Sequence, residues 1–348
     1  MSSRSPAPGP RPVAAGPTSA WATAALPASL PASLRDRLAV GDEVAGALRD
    51  GLPVVALEST LITHGLPHPS NLEVARAAET AVREQGAIPA TVAIRGGRIL
   101  VGLDERTLAE LAGLPPGAAR KASRPTLAAA LAGGGWAGTT VSATMLAADA
   151  AGIRVFATGG IGGVHRGAPF DVSSDLDELA RTPVAVVCAG PKSILDVPAT
   201  LEILETHGVP VVGLGQPNLA GFFAEDSGVA SPLVADDEGA LAQLVATHLG
   251  LGLGSGILVA VPVPADEALD PEVAESSAAR AASEAEAAGI HGPALTPWIL
   301  ARVAELTDGR SVRANRALIV NDARVAARLA RALATPPSAM RPDRGRTA

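Results

Sequence analysis

The sequence predicts an α/β fold in which a largely parallel sheet is covered by helices on both faces. From about residue 53 onward, short apolar runs alternate with helical patterns, as they do in folds with a parallel sheet. The runs are apolar at consecutive positions, for example in "VAVVC" (184–188), which is typical of strands buried on both faces. With 348 residues and 47% apolar content, the chain is long enough to bury a large core.

The first predicted elements are a buried strand and the helix that follows it. The run "PVVALES" (53–59) predicts the strand. The next pattern, 70–86, predicts a helix. Ser70 and Glu73 have the spacing of a capping box at its start, and Gly86 marks its end.

The alternation of elements continues to residue 333. A hairpin is predicted at 90–103, where two apolar runs flank a Gly-Gly pair. The other predicted helices are 104–113, 139–152 and several within 271–333, and the other strands are 153–163, 183–190, 209–215 and 256–264. We therefore expect one catalytic domain over 36–333, between disordered ends at 1–35 and 334–348.

The composition excludes several classes of protein. The net charge is −7 and no basic stripe is present, which argues against a nucleic-acid partner. No stretch of 18 or more apolar residues predicts a membrane span. Cys188 is the only cysteine, so a disulfide framework is excluded and a reducing, cytoplasmic location is expected.

Lysine is almost absent from the chain. Only Lys121 and Lys192 occur among the 28 basic residues, so arginine fails at these two places. Arginine stays protonated, whereas a partly buried lysine can lose its proton and attack a carbonyl carbon. Lys192 follows a predicted buried strand, which favours a nucleophilic amine; the alternative is a structural lysine whose charge reaches solvent.

Polar residues also follow two other predicted strands, at 58–60 and 158–163. Ligands in α/β folds bind beyond the carboxyl ends of the strands, so these segments are expected to meet Lys192 there. Partial burial would raise the pKa of a carboxyl group in the position of Glu58 and suit it to proton transfer. The alternative is a carboxylate that caps neighbouring amides.

Two weaker features lie nearby in the sequence. Lys121 belongs to a basic cluster that is either a solvated face or a site for an anionic ligand. His64 and His68 are interpreted as loop residues, because the glycine and prolines around them break a helix that could hold a metal.

The segment 158–179 combines a glycine loop with acidic and hydroxyl side chains. The glycines allow a ligand to approach the backbone closely, although their spacing is not that of a dinucleotide site. Asp171 and Asp175, beside Ser173 and Ser174, could hold Mg²⁺ or Mn²⁺ next to a phosphate. The serines could instead, or in addition, cap a helix. Together these features predict an enzyme that acts on a phosphorylated small carbonyl compound or sugar.

Five motifs, in this order, resemble the pseudouridine-5′-phosphate glycosidase family, also called indigoidine synthase A-like. They are "ALESTLITHGLPHPSNLEVA", "TTVSATM", "FATGGIGGVHRGAPFDVSSDLDELART", "VVCAGPKSILD" and "TPWILARVAELTDGRSVRANRALIVNDA". The resemblance implies a three-layer α/β/α fold, a homotrimer and one divalent ion, usually Mn²⁺ (Mg²⁺ or another ion is possible). It also implies a lyase activity that reversibly cleaves the carbon–carbon glycosidic bond of pseudouridine 5′-phosphate to uracil and ribose 5-phosphate.

The resemblance assigns roles to individual residues. Lys192 corresponds to the nucleophile that forms a Schiff base with the ring-opened ribose, Glu58 to the proton donor and Asp171 to the metal ligand. The residues that correspond to substrate-binding positions are Lys121, Val141, His165, Ser173, Ser174, Asp175 and Asn315.

The sequence departs from the family pattern at four places. Pro191 precedes the lysine where a small residue is usual, Ser174 replaces an alanine, and Val261 stands where many members have asparagine. The segment 213–235 lacks expected aromatic and arginine residues. Val261 and this segment are therefore expected to affect the base pocket.

Three alternative functions remain. A Schiff-base lyase or aldolase for another phosphorylated sugar would share Lys192 without recognising uracil. A sugar kinase would bind ATP and give Lys192 no nucleophilic role. A non-catalytic scaffold would leave both lysines, Glu58 and Asp171 unexplained.

Overall fold

The computed structural model describes residues 21–22, 31–290, 292 and 295–334. Of the predicted disordered ends, only 21–22, 31–35 and Ala334 are among these residues, and the rest of both ends lies outside them. Within the described ranges, no helix combines the length and apolar character that crossing a bilayer requires.

Among the described residues, twelve strands form one large sheet and three form a small one. The large sheet contains β1 (Trp21–Ala22), β2 (Leu38–Gly41), β3 (Val54–Leu57), β4 (Ile88–Arg95), β5 (Arg98–Val101), β6 (Arg120–Ala122), β7 (Ala137–Thr139), β8 (Val155–Ala157), β11 (Ala185–Cys188), β13 (Val211–Leu214), β14 (Leu233–Ala235) and β15 (Ile257–Ala260). The small sheet contains β9 (Val164–His165), β10 (Ala168–Val172) and β12 (Leu195–Asp196).

The helices lie between these strands and after them. They are α1 (Ala32–Arg35), α2 (Asp42–Arg49), α3 (Ser70–Glu84), α4 (Glu105–Ala112), α5 (Leu127–Ala132), α6 (Val141–Ala151), α7 (Ser174–Leu179), α8 (Val197–Thr206), α9 (Glu238–Gly250), α10 (Pro271–Ala287), α11 (Leu295–Leu306) and α12 (Arg310–Ala334). A π-helical turn spans Leu61–Gly65 and a 3₁₀ turn spans Arg124–Thr126.

The large sheet is mostly parallel, as the sequence predicts. Its strand order is β1-β2-β5-β4-β3-β8-β11-β15-β13-β14, and β7 joins β6 to β4. From β4 through β14 every neighbouring pair on this path is parallel. The predicted hairpin is present as the antiparallel pair β4–β5.

Two apolar cores on opposite faces of the sheet make the fold a three-layer α/β/α sandwich. Val55 and Val187 pack into a core shared with α3, α9, α10, α11 and α12. Their neighbours Ala56 and Val186 pack into the other core, shared with α2, α6, α7 and α8. Because both faces are buried, the strands have the continuous apolar sequences from which the fold is predicted.

Some local predictions are wrong. The predicted capping box at Ser70 and Glu73 does not form: Ser70 is the first residue of α3, and Pro69 precedes it as an N-cap without a side-chain hydrogen bond. A proline has no side-chain acceptor, and in the first turn the N–H of Leu72 donates to the side-chain oxygen of Asn71 instead. His64, interpreted as a loop residue, lies in the π-helical turn.

Candidate active site

All ten residues to which the sequence gives a role line one cavity of about 590 Å³. The cavity opens at the carboxyl ends of β3, β8 and β11, which are neighbours in the sheet. It is lined, among others, by Glu58, Lys121, Val141, His165, Asp171, Ser173, Ser174, Asp175, Lys192 and Asn315. The fold therefore brings together, at the carboxyl ends of the strands, residues that lie up to 257 positions apart in the chain, from Glu58 to Asn315.

Lys192 follows β11 in a turn that holds its amine in the cavity. Its Nζ donates a hydrogen bond of 2.6 Å to the carbonyl oxygen of Gly160. Its backbone N–H donates to the carbonyl oxygen of Ile161 at 3.2 Å, and Pro191 forms a parallel bridge with Ile161. Both the backbone and the side chain of the lysine are thus fixed by the glycine loop that follows β8.

The loop requires glycine at position 160. A Cβ atom there would lie 2.6 Å from Cε2 of Phe222 and 2.9 Å from the carbonyl oxygen of Gly190. Both distances are shorter than contacts that real Cβ atoms make. Any residue other than glycine would therefore clash with these neighbours.

Glu58 follows β3 and is half-buried. Burial raises the pKa of its carboxyl group, and the positive charge of Lys192 and a hydrogen bond donated by the Thr158 hydroxyl oppose the rise only in part. A raised pKa keeps the proton on a carboxyl group nearer to neutral pH, as a general acid requires. The sequence places Thr158 beside this edge but gives it no role.

Asp175 anchors three parts of the site to one another. Its carboxylate is 5% exposed and accepts hydrogen bonds from the backbone N–H of Ser142 (3.0 Å) and of Gly162 (2.9 Å). The Ser173 hydroxyl caps α7 by accepting from the N–H of Asp175. The helix cap expected from the sequence is present, and the anchored Asp175 leaves Asp171 as the accessible carboxylate of the predicted pair.

Asp171 is the better metal ligand of the two. Its side chain is 47% exposed, and its Oδ2 lies 3.4 Å from Nδ1 of His165. The other ring nitrogen of His165, Nε2, is buried without a hydrogen-bond partner in the structure. Among the described residues, no cluster of three His, Cys, Asp or Glu side chains could hold a metal. A divalent ion here would therefore be bound by Asp171 together with water and substrate oxygens, which suits Mg²⁺ or Mn²⁺.

The remaining predicted residues surround the same space. Burial, followed by the charge of Lys192, lowers the pKa of the Lys121 amine. Val141 is the first residue of α6, and the N–H of the next residue, Ser142, donates to the Asp175 carboxylate. Asn315 lies on α12, and the Ser174 hydroxyl is 3.2 Å from that of Ser142.

Val261 and segment 213–235, which are expected from the sequence to affect the base pocket, differ in their relation to the cavity. Val261 is 3% exposed and packs in the core, and it is not among the described residues that line the cavity. Segment 213–235 contributes Phe222 and Phe223 to the cavity wall, so it does supply an aromatic surface. His64 also lines the cavity, which sequence spacing alone does not reveal.

One further buried acid lies behind the site. Asp322 of α12 has no exposed surface, and neither of its carboxyl oxygens has a hydrogen-bond partner in the structure. Burial raises the pKa of this carboxyl group far above its usual range.

Comparisons with known proteins agree on one family. The sequence model described as "Indigoidine synthase A like protein" matches residues 43–332. A protein of Paracoccus denitrificans named pseudouridine-5′-phosphate glycosidase is 54% identical over 300 residues, which cover 86% of this chain and 99% of the relative. One of Caldanaerobacter subterraneus with the same name is 51% identical over 293 residues, or 84% and 95% of the two chains.

Two solved structures have the same fold. The prealnumycin C-glycosynthase AlnA, solved in complex with ribulose 5-phosphate, superposes with a TM-score of 0.78 and 38% identity over 85% of this chain and 97% of AlnA. An indigoidine synthase A-like protein of Thermotoga maritima superposes with a TM-score of 0.75 and 33% sequence identity. The match covers 82% of this chain and 94% of that protein. The chain therefore belongs to the indigoidine synthase A-like family, whose curated relatives are named pseudouridine-5′-phosphate glycosidases.

Proposed function

We propose that this chain is a C-glycosidase of the lyase class that reversibly converts pseudouridine 5′-phosphate into uracil and ribose 5-phosphate. The observation that carries the proposal is that one cavity holds both the Lys192 amine and the Glu58 carboxyl group, which follow β11 and β3 on either side of β8. The names of relatives that share about half of its residues support the substrate.

Lys192 supplies the lone pair that drives cleavage of the stable carbon–carbon bond. Its Nζ bonds to C1′ as the bond between C1′ and O4′ breaks and the ribose ring opens. O4′ takes a proton from Glu58, which regains a proton from the lysine nitrogen. The nitrogen lone pair then forms a C=N bond as the bond between C1′ and the uracil carbon breaks. That carbon takes a proton from Glu58, and uracil leaves. Water cleaves the imine, which releases ribose 5-phosphate and restores the amine.

The other groups bind and orient the substrate. Lys121 lines the cavity and suits the phosphate. The Asn315 amide offers one acceptor and two donor hydrogens, which match the edge of uracil. His165, Ser173 and Ser174 face the sugar, and Asp175 holds the glycine loop around it. Asp171 would hold Mn²⁺, which would act as a Lewis acid and offset the charge of the phosphate.

Assembly and location follow from the family resemblance. We propose that the chain acts as a homotrimer in the cytoplasm on a small-molecule nucleotide. The buried free thiol of Cys188 fits a reducing compartment.

The test follows uracil release from pseudouridine 5′-phosphate with Mn²⁺, with and without borohydride. We expect uracil, and a ribose-phosphate adduct on Lys192 after reduction. Lys192→Arg should abolish both while the protein stays folded. Lys121→Arg, which keeps the charge on the only other lysine, should still give an adduct on Lys192. Substantial turnover in the Lys192→Arg variant would refute the Schiff base.

A second candidate is a Schiff-base lyase that acts on another phosphorylated sugar. This candidate is supported by the solved relative AlnA, which binds a different phosphorylated sugar, ribulose 5-phosphate. An adduct from ribose 5-phosphate without uracil release or uptake would select this candidate and reject the glycosidase.

A further inference from the structure

Phe222 has an unusual backbone conformation. Its φ is +62°, and among the described residues only Asp308 is another non-glycine residue with a positive φ. A bulky side chain in this region is strained. The surrounding structure maintains the strain, because the N–H of Phe222 donates to the carbonyl oxygen of Ala189 (3.2 Å) and the residue is 2% exposed. Strain of this kind is often associated with a functional site.

The strained backbone places the Phe222 ring against the glycine loop. The Cβ position of Gly160 is 2.6 Å from Cε2 and 2.8 Å from Cδ2 of this ring, so the ring fills the space that a side chain at Gly160 would occupy. The carbonyl oxygen of the same glycine accepts the 2.6 Å hydrogen bond from Lys192 Nζ. The Phe222 ring therefore lies beside the glycine whose carbonyl oxygen orients the amine.

We propose that Phe222 is a positioning residue, whose ring fixes the Gly160 carbonyl group and through it the direction of the Lys192 amine. The inference rests on the proposed role of Lys192 as the nucleophile. Without the ring, the glycine loop gains room to move and the amine loses its fixed acceptor. An amine that is displaced by about 1 Å loses reactivity, because covalent attack depends on alignment.

Phe223 provides a matched control. Its ring lies edge-on to that of Phe222 at 4.6 Å, is also 2% exposed and lines the same cavity. The three atoms nearest to the Gly160 Cβ position belong to Phe222 and Gly190. Removing the Phe223 ring thus opens the same wall by the same volume and leaves the contact with Gly160 in place.

The experiment compares Phe222→Ala, Phe223→Ala and Phe222→Leu in the full chain. The rate of borohydride trapping with saturating ribose 5-phosphate and the kcat and KM for pseudouridine 5′-phosphate are measured, and circular dichroism checks folding. We expect Phe222→Ala to slow trapping and lower kcat by about tenfold to a hundredfold, with little change in KM. Phe223→Ala should slow trapping by less than about threefold, and Phe222→Leu, which keeps branched bulk against Gly160, should restore most of the rate.

Two results would overturn the proposal. One is equal slowing in both alanine variants, which would make Phe222 an ordinary part of the wall. The other is a raised KM with an unchanged trapping rate in Phe222→Ala, which would make it a substrate contact. If Phe222→Ala does not fold, Phe222→Val decides, because its shorter side chain leaves the space beside Gly160 unfilled. We expect slower trapping in Phe222→Val than in Phe222→Leu, and equally fast trapping in both rejects the role. Failure of the proposed function is distinct, because the unsubstituted protein would then form no adduct.

Discussion

Asp322→Asn tests the protonation of the buried acid on α12. In the folded chain, burial raises the pKa of the Asp322 carboxyl group well above its usual 3.8, and the side chain has no exposed surface. In the unfolded chain the same group ionises near its usual pKa. The stabilisation from a protonated Asp322 is therefore complete at pH values below the pKa of the unfolded chain. It is lost as pH rises from that pKa to the higher pKa of the folded chain. Asparagine has the same shape and does not titrate.

The magnitude follows from linkage. Within that window the folded chain binds one proton more than the unfolded chain, so each pH unit lowers the free energy of unfolding by about 1.4 kcal/mol relative to Asp322→Asn. Urea unfolding followed by circular dichroism at pH 5 and pH 6 measures the difference, and other titrating groups cancel between the two proteins. Asp236→Asn, at an exposed position, is the control. Parallel pH dependence of the Asp322→Asn variant and the unsubstituted protein would refute a protonated Asp322.

Three further predictions concern groups around the cavity. Thr158→Val removes the hydrogen bond that lowers the Glu58 pKa, so the alkaline limb of the pH–rate profile should move to higher pH; a shift to lower pH would contradict the acid role. Arg124→Met leaves the carboxylate of Glu178, which has no exposed surface, without its ion pair, and should cost about 3 kcal/mol in urea unfolding; a loss below about 1 kcal/mol would count against it. Asp171→Ala should remove the response of the rate to added Mn²⁺, and unchanged sensitivity to a chelator would reject that ligand.

The sequence predicts the layers of this fold because burial on both faces leaves a local signal. Runs such as 184–188 are apolar at every position, and the alternating helices identify the sheet as parallel. β6 and β7 have no such signal, because each has three residues and pairs with a distant segment. The cap of α3 escapes prediction although its start at Ser70 does not, since the serine and glutamate spacing does not show that Pro69 takes the N-cap position.

Residues of the site are predictable where their chemistry is rare in the chain. Lys192 is evident because lysine is almost absent, and Glu58 because a carboxylate follows an apolar strand. Thr158 and Phe222 act through partners that are distant in sequence, so no local pattern identifies them. Asp322 lies on α12, a helix with many polar residues, and an aspartate in such a sequence is expected to be exposed. Only the packing of α12 against the sheet buries it.

The position of α12 also has a consequence for the synthesis of the chain. This last helix packs on β3, β8, β11 and α3, elements that the ribosome completes long before residue 310. At roughly 5–20 residues per second, the apolar face of β11 waits roughly 7–30 s until α12 is complete, and that of β3 waits about twice as long. A nascent chain in that interval presents an unpaired hydrophobic surface, so we expect it to depend on chaperones. Asn315 is part of the same helix, so the catalytic cavity is complete only when α12 has packed on the core.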